Sequence, residues 1–395
     1  MLIGRIIREL LLGPAYFWHK YLIKKSYSLN YDKIRTYEKS NEMEITTKEE
    51  IRESPNRYLR KSLFVPLKRC RTGGTTGTPL VFYHNYFMTR QKERAYIFDI
   101  WKAVGYKPFD YRIIVRGNGN SRIYYSWFEN ALIIPQNCIN EANRKELETK
   151  FSYSKGFYLH VYPSTLKIII NFFGDTLFKT FKIKGVLAGS ESFPIFQMEY
   201  YETYYGLAFA HWYGHSEYAI LARYCSVCKE FHFYPTYGTA ALLGSGKEKQ
   251  ILATSHNYYG TIFHNYLTED LAIDSETECP IDNFPKVKTI IGRKEEYFID
   301  KCGEWKAFGP YLFGIHSKFW EMIISIQFTQ NAVGVLHVRY VPSNSFSKNE
   351  FYEFLNLRFS QLELEFEEVH FIEGTKRGKH KYFIQNLEIT DKWNN

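Results

Sequence analysis

A glycine- and threonine-rich stretch has the residue types that suit an anion. Residues 71 to 80 read RTGGTTGTPL. Glycines let backbone N–H groups approach an oxyanion closely, and threonine hydroxyls add donors. The stretch is not a Walker A motif, because no Gly-Lys-Ser/Thr follows and Pro79 prevents a helix from continuing directly. A tight glycine turn without a ligand is the alternative to a phosphate-binding loop, whose residues would be Thr72, Gly73, Gly74, Thr75, Thr76 and Gly77.

The cysteines contain part of a metal-binding pattern. Cys225, Cys228 and His232 have the spacing of half a zinc site, and Cys279 lies in the later stretch ETECPIDNF. Together they would form a Cys₃His tetrahedron, which is typical of structural zinc because no ligand position is left for water. A lone Cys-x-x-Cys is unspecific, so buried or surface thiols are the alternative.

The composition is that of a folded protein with a large core. The chain has 395 residues, of which 45% are apolar and 18% aromatic, and its formal net charge is +9. A mild positive charge without long Lys/Arg runs suits anionic small molecules or a membrane surface and argues against nucleic acid as a partner. Six cysteines in a chain of this length do not make a disulfide framework, which favours a reducing, cytoplasmic compartment.

The first 25 residues have the spacing of an amphipathic helix. Apolar residues recur over positions 3–11, with Arg5 and Arg8 between them. Charges inside the apolar stretch argue against a signal peptide, and no run reaches the roughly 18 uncharged residues of a spanning helix. We expect this start to pack on its own domain. The alternative is peripheral contact with the inner face of the membrane through Lys20, Lys24 and Lys25.

Short apolar runs alternate with helical patterns along the chain. These predicted strands and helices are the elements that must position the residues named above. YRIIVRGNG, NALIIPQN, FYLHVYPS and FKIKGVLAGSES are predicted as buried strands that end in turns. After Glu296 the pattern changes to two strands, a helix capped by Ser347 and a further strand. We therefore predict an α/β protein with a large N-terminal domain of mixed sheets and helices (1–295) and a small α+β C-terminal domain (296–395).

The loop and the motifs that follow it resemble those of the adenylate-forming (ANL) superfamily. Within it, the resemblance is to the branch of phenylacetate-CoA ligase and the CapK-like proteins of capsule polysaccharide biosynthesis, and it covers nearly the whole chain. Those enzymes activate a carboxylic acid with ATP, release pyrophosphate and hold an acyl-adenylate. The resemblance implies an AMP-producing ligase whose small C-terminal domain is mobile.

Two motifs imply where the adenine and the magnesium ion bind. In AGSES, Ser190 and Glu191 belong to the segment that packs on the adenine. In YGHSE, the ring of Tyr213 would stack on the base beside Gly214. Glu217 of this motif would hold Mg²⁺ together with Thr76, because magnesium prefers hard oxygen ligands. Without the other motifs, YGHSE is equally well a core tyrosine beside a surface turn.

The ribose motif of the family is matched in part. NYLTEDLAI stands where the family has Tyr-Arg-Thr-Gly-Asp, which makes Asp270 the candidate for the two ribose hydroxyls. Asn265 and Leu267 occupy positions where arginine is common, and Glu269 replaces the glycine. An aspartate in a turn is otherwise more often a cap.

Two basic residues near and beyond the domain boundary complete the implied site. IIGRKEEYFID places Arg293 to pair with ribose or phosphate; a surface salt bridge is the alternative. In EGTKRGKHKYF, Lys379 corresponds to the lysine that neutralises charge on the α-phosphate during adenylation. A solvated basic turn is the alternative, and Lys376, Arg377 and Lys381 are possible substitutes.

The implied reaction needs a small carboxylic acid, ATP and Mg²⁺. Zinc would be a separate, structural metal at the cysteines. The acceptor is coenzyme A or a sugar amine or hydroxyl, and the form of the loop favours the capsule branch. Alternatives are a phenylacetate-like acyl-CoA ligase and a non-catalytic relative that binds or scaffolds. A glycosyltransferase lacks support, because the chain contains no Asp-x-Asp motif.

Overall fold

A computed structural model describes most of the chain. The described residues are 7–8, 12–39, 43–71, 80–116, 122–135, 138–153, 155–174, 176–189, 193, 195–246, 248–292, 297–308, 311, 319–342, 346–370, 372 and 383–387. They fall into two compact units, the first ending at Gly292 and the second beginning at Tyr297. Residues 293–296, which contain the predicted boundary, lie outside the described residues.

Helices of the first unit alternate with strands along the chain. Its α-helices are α1 (Pro14–Ser26), α2 (Lys48–Glu53), α3 (Met88–Trp101), α4 (Arg144–Phe151), α5 (Pro163–Phe173), α6 (Thr176–Thr180) and α7 (Ile195–Tyr205), and 3-10 turns span Lys102–Val104 and Glu141–Asn143. Local chemistry sets several of their starts. Pro14 is the first residue of α1 and follows Gly13, whose φ is 77°. Thr47 and Glu50 form a capping box at the start of α2.

The strands of the first unit form a large mixed sheet and a small one. In chain order they are β1 (Arg35–Tyr37), β2 (Leu59–Arg60), β3 (Leu67–Arg71), β4 (Val81–Asn85), β5 (Arg112–Arg116), β6 (Tyr124–Ser126), β7 (Ala131–Pro135), β8 (Phe157–Val161), β9 (Ile183–Gly189), β10 (Phe209–Gly214), β11 (Leu221–Cys225), β12 (Glu230–Phe233), β13 (Gly238–Leu243), β14 (Glu248–Ser255), β15 (Gly260–Thr261), β16 (Tyr266–Asp274) and β17 (Lys286–Gly292). The large sheet has the order β1-β13-β14-β16-β17-β12-β11-β10-β9-β8-β5-β7-β6, and the small one β2-β15-β4-β3.

Strands β7, β5, β8, β9 and β10 run parallel to one another, and helices cover both faces of this part of the sheet. On β8, Phe157 and Leu159 pack into the cluster that contains α4 and α5. The intervening Tyr158 packs into the cluster that contains α1 and α3. Burial on both faces explains why these strands are continuous apolar runs in the sequence.

The second unit is a small α+β fold. It contains β18 (Tyr297–Ile299), β19 (Trp305–Ala307), α8 (Phe319–Met322), β20 (Ile323–Ala332), β21 (Val335–Pro342), α9 (Lys348–Arg358), β22 (Glu363–Glu368) and β23 (Phe383–Gln385). The strand order of its sheet is β22-β21-β20-β23, and β18 pairs with β19 as a separate hairpin. Phenylalanine-rich packing of α9 against this sheet forms its core.

The predicted fold class is confirmed, and the four predicted strands correspond to β5, β7, β8 and β9. Ser347 precedes α9 as expected, but its side chain makes no capping hydrogen bond. Helix α1 spans Pro14–Ser26. Of positions 3–11, whose spacing led to the prediction of an amphipathic helix, only residues 7 and 8 are described. Within the described residues, no helix combines the length and the apolarity that a membrane crossing requires.

Candidate functional site

Part of the predicted site falls on residues that the structure does not describe. Outside the described residues lie Thr72, Gly73, Gly74, Thr75, Thr76, Gly77, Ser190, Glu191, Arg293 and Lys379. The structure does describe residues next to them, and these lie in strands. Arg71 and Val81, which flank the predicted loop, are partners in the antiparallel pair β3–β4. Gly189, which precedes Ser190, ends β9, directly beside β10 in the sheet.

The structure brings Tyr213 and Asp270 together, although 57 positions separate them. Tyr213 lies near the end of β10, and Asp270 lies within β16. The Tyr213 hydroxyl donates a hydrogen bond of 2.7 Å to Asp270 Oδ2. Burial and the nearby Asp270 carboxylate raise the pKa of Tyr213 well above its ordinary value. The phenol therefore stays protonated and orients this carboxylate.

Glu217 is a buried carboxylate two residues beyond His215. Tyr266 donates a hydrogen bond of 2.9 Å to Glu217 Oε1, and Ser216 donates one of 3.2 Å to Oε2. His215 Nδ1 lies 3.3 Å from Oε2. Burial alone raises the pKa of Glu217, but His215, the Lys48 charge and the Tyr266 hydroxyl lower it to about 2. Glu217 is thus ionised at neutral pH, the state in which a carboxylate binds Mg²⁺.

His215 adds a further polar atom beside Glu217. Its Nε2 is buried and has no hydrogen-bond partner among the described residues. A buried polar atom without a partner is costly, so a ligand group at this position would satisfy it.

A segment near the N-terminus also contributes to this site. The backbone of Thr46 pairs with β16 through hydrogen bonds with Asn265 and Leu267. This pairing brings Lys48, at the start of α2, to Glu269, where the two form an ion pair of 2.7 Å. Glu269 has a φ of 68°, which is the left-handed region that favours glycine. Sequence reasoning had identified the missing glycine of the ribose motif but not its compensation by Lys48.

The predicted zinc ligands form a compact group on a neighbouring part of the sheet. The ligand atoms of Cys225, Cys228, His232 and Cys279 all lie within 4.8 Å of one another. Cys225 Sγ is 3.8 Å from Cys279 Sγ, and Cys228 Sγ is 3.0 Å from His232 Nε2. Two sulfurs on one tetrahedral zinc are about 3.8 Å apart, given Zn–S bonds of about 2.3 Å. Three thiols and one imidazole gathered this closely are a donor set that suits zinc.

Cys225 and Cys228 lie in a tight turn that Lys229 closes. Lys229 has a φ of 61°, and its N–H donates to the Cys225 carbonyl at 2.8 Å. Burial raises the pKa of the Cys225 thiol, but backbone N–H groups of Cys228 and Val227 and the Arg223 charge outweigh it and lower the pKa. Burial and the neighbouring Cys279 and Cys225 raise the pKa of the Cys228 thiol, so within this group Cys225 is the thiol whose surroundings favour the thiolate.

Behind His232 lies a buried acid–base pair that sequence reasoning missed. His232 Nδ1 is 2.7 Å from Asp282 Oδ1, and Arg223 Nη2 donates to Asp282 Oδ2. Burial raises the pKa of Asp282, but the His232 hydrogen bond and the Arg223 charge lower it to about 2. An ionised carboxylate only accepts, so the imidazole proton lies on Nδ1 and the Nε2 lone pair faces Cys228. The stretch ECPIDNF, which carries both Cys279 and Asp282, was the available signal.

Comparison with known proteins identifies the fold. No protein-family model and no curated protein matches the chain. The chain is similar to the crystal structure of 2-hydroxyisobutyryl-CoA ligase in complex with 2-HIB-AMP and CoA in the thioesterification state, with a TM-score of 0.52, 17% identity, and coverage of 86% of this chain and 79% of that chain. A structure of that ligase in the postadenylation state with 2-HIB-AMP gives a TM-score of 0.47, 15% identity, and coverage of 84% and 78%. The first similarity shows that this chain has the adenylate-forming fold.

Proposed function

We propose that this protein is an ATP-dependent, AMP-producing ligase that activates a carboxylic acid as its acyl-adenylate. The observation that carries the proposal is the hydrogen-bonded pair of Tyr213 and Asp270, with the ionised Glu217 on the same strand–turn segment as Tyr213. These are the residues that the resemblance assigns to the base, the ribose and the magnesium ion. They come together in a chain that has the adenylate-forming fold.

In this proposal the described residues position the nucleotide. Asp270, oriented by Tyr213, accepts hydrogen bonds from ribose hydroxyls, and the Tyr213 ring packs on the base. Glu217, with Thr76, would hold Mg²⁺, which would supply positive charge to the phosphates. The hydrogen bonds from Tyr266 and Ser216 fix the Glu217 carboxylate, so little reorganisation is needed when the nucleotide binds.

The proposed chemistry has two steps. A carboxylate oxygen of the acid attacks the α-phosphorus of ATP, the new P–O bond forms, and the bond to the β-phosphate breaks with release of pyrophosphate. The predicted loop at residues 72–77, Arg293 and Lys379 would stabilise the charge on these phosphates. An acceptor nucleophile then attacks the acyl carbon, and AMP leaves with the electron pair of the broken C–O bond.

The proposal also concerns the acceptor of the acyl group, for which two candidates have separate support. Coenzyme A is favoured by the structural similarity, because the similar ligase was crystallised with CoA. A sugar amine or hydroxyl is favoured by the resemblance of the loop to CapK-like proteins, which would place the reaction in capsule or cell-surface polysaccharide biosynthesis. Both acceptors are consistent with the same adenylation step.

Product analysis tests this function. The full chain is incubated with ATP, Mg²⁺ and each of a panel of small carboxylic acids, with and without CoA or amino sugars. We expect AMP and pyrophosphate to form only when a suitable acid is present, and an acyl thioester or an acyl-sugar to identify the acceptor. ATP binding without AMP from any acid would favour a non-catalytic relative, and ADP as the product would exclude adenylation.

We also propose that the cysteine cluster binds one structural zinc ion. The four ligand atoms leave no position for water in a tetrahedral site, so the metal would tie the Cys225–His232 hairpin to the Cys279 loop. Asp282, held by Arg223, would fix the imidazole for that bond.

A further inference from the structure

Helix α1 has one face packed on the protein and an opposite face of unusual composition. Tyr16 packs edge-on against Phe98 of α3 at 6.1 Å, and the backbone N–H of Ala15 donates to Gln91 Oε1 at 3.0 Å. Ile23 is buried on the same side. His19 also turns inward, with its ring 5.8 Å from that of Tyr96. Since successive helical residues are rotated by about 100°, the exposed residues of α1 lie on the opposite side.

Three large aromatic side chains lie on that solvent side. The exposed fractions are 50% for Phe17, 57% for Trp18 and 54% for Tyr21. The rings of Trp18 and Tyr21 are adjacent, with centroids 5.7 Å apart. Single exposed apolar residues are normal, but three aromatic rings within two turns of one helix form a contiguous patch that marks an interaction surface.

The charged residues of this face are all positive. Lys20, Lys24 and Lys25 are exposed around the aromatic rings, and the sequence from Pro14 to Ser26 contains no acidic residue. Long lysine side chains can extend past the rings and place their ammonium groups beside an anionic surface.

Other parts of the first unit also expose apolar side chains. Exposed Trp127 is contacted by Arg8, whose guanidinium lies 4.7 Å above the indole and whose Nε donates to the Trp127 carbonyl at 2.7 Å. Ile7, the neighbour of Arg8, is also exposed. Near the start of α3, one turn from Gln91, exposed Phe87 and Met88 add apolar surface.

We propose that this face, formed by Phe17, Trp18, Tyr21 and the three lysines, binds the surface of a bilayer that contains anionic phospholipid. Tryptophan and tyrosine are enriched at the level of the lipid headgroups in membrane proteins, and each lysine near an anionic leaflet strengthens binding. A second copy of the chain is a poorer occupant, because it would bring two sets of three lysines together. The inference concerns where the protein works and does not depend on the reaction proposed above.

Vesicle sedimentation tests the proposal. The full chain is mixed at low salt with vesicles of phosphatidylcholine alone or with phosphatidylglycerol added. We expect binding only with the anionic lipid, a decrease at high salt, and a decrease in the partition coefficient of at least about tenfold for the triple variant Lys20→Gln, Lys24→Gln, Lys25→Gln. Phe17→Ser with Trp18→Ser should reduce binding similarly through the loss of apolar contact.

Matched controls distinguish binding through this face from nonspecific binding of the protein to vesicles. The triple variant Lys107→Gln, Lys145→Gln, Lys150→Gln removes three exposed lysines elsewhere in the first unit, and Tyr258→Ser removes another exposed aromatic ring. Both should bind like the wild type, and all variants should melt at the wild-type temperature because the changed side chains are exposed. Absence of binding to anionic vesicles, equal losses in the controls, or concentration-dependent dimers that the α1 substitutions abolish without lipid would overturn the proposal.

Discussion

Glu269 occupies a left-handed backbone position immediately before the candidate ribose ligand Asp270. A side chain in this region costs roughly 1–2 kcal/mol relative to glycine, the residue that the related ribose motif has there. Lys48 holds the Glu269 carboxylate in an ion pair whose two side chains are largely buried. We interpret this pair as a compensation that keeps the backbone at Asp270 in place.

A double-mutant cycle measures that compensation. Lys48→Ala leaves the Glu269 carboxylate largely buried and without its cation, so we expect a loss of about 2 kcal/mol in the free energy of unfolding. In a Glu269→Gly background the carboxylate and the strain are both absent, so the same substitution should cost at least about 1 kcal/mol less and lose only the interaction of the Lys48 charge with Glu217. Urea unfolding of the four proteins gives the coupling energy.

The control for this cycle lies on the same strand. Lys249 forms an ion pair of 3.0 Å with Asp274, five residues after Glu269. Lys249→Ala should cost the same with and without Glu269→Gly. If Lys48→Ala is equally destabilising in both backgrounds, the two residues act independently and the compensation is refuted.

The motifs of the sequence singled out candidate site residues, whose roles stay predictions. Tyr213, Glu217 and Asp270 stand in recognisable patterns, and the structure places the hydroxyl of the first against the carboxylate of the last. Lys48 and Tyr266 were not assigned, because their contacts are long-range: Tyr266 lies 49 positions from Glu217, and Lys48 lies 221 positions from Glu269. Such pairs are set by the sheet register, which the spacing of residues does not reveal.

At the scale of elements, the parallel strands of the large sheet and the antiparallel pair β20–β21 were predictable, whereas β11 to β17 were not. β7 and β8 are nearly continuous apolar runs, because helices cover both faces of their sheet. β16 carries Thr268, Glu269 and Asp270 in its middle, so its sequence indicates a site more strongly than a strand. The amphipathic spacing at positions 3–11 predicted a helix, whereas α1 spans Pro14–Ser26. The orientation of α1 was not predictable, because Phe17, Trp18 and Tyr21 are apolar and yet face solvent.

The hairpin β11–β12 and the loop that contains Cys279 carry the four candidate zinc ligands, which leads to a prediction of zinc binding. Protein purified without chelators should contain one zinc per chain, and Cys228→Ser should release it and lower the melting temperature, because the metal ties two segments together. Asp282→Asn should keep the ligands but weaken zinc binding by about 10- to 100-fold, since it removes the carboxylate that orients His232. Competition with a chromophoric chelator measures the affinity.

The matched variants for the metal site are Cys302→Ser, which changes an exposed thiol, and Asp274→Asn, which changes an aspartate of β16 outside the cluster. Both should retain zinc with the affinity of the wild type. A metal-free wild-type protein would exclude the site, and metal loss without any change in melting temperature would show that it does not stabilise the fold.

At the scale of the whole molecule, the residues proposed for the reaction come from distant parts of the sequence. Tyr213, Glu217 and Asp270 belong to the first unit, whereas Lys379 belongs to the sequence of the second. A cation that acts only as the α-phosphate is attacked contributes to the transition state and not to the binding of ATP. Lys379 should therefore affect the rate of adenylation, and Asp270 the affinity for the nucleotide.

Acid-dependent exchange between ATP and labelled pyrophosphate is the most direct test of the central claim. With a suitable acid, the wild type should catalyse exchange, Asp270→Asn should raise the KM for ATP by tenfold or more, and Asp274→Asn on the same strand should behave like the wild type. Lys379→Ala should slow exchange by at least about 10²-fold while the Kd for ATP changes no more than a few-fold. Absence of exchange with every acid tested, or exchange that Asp270→Asn leaves unchanged, would contradict the claim that this site forms an acyl-adenylate.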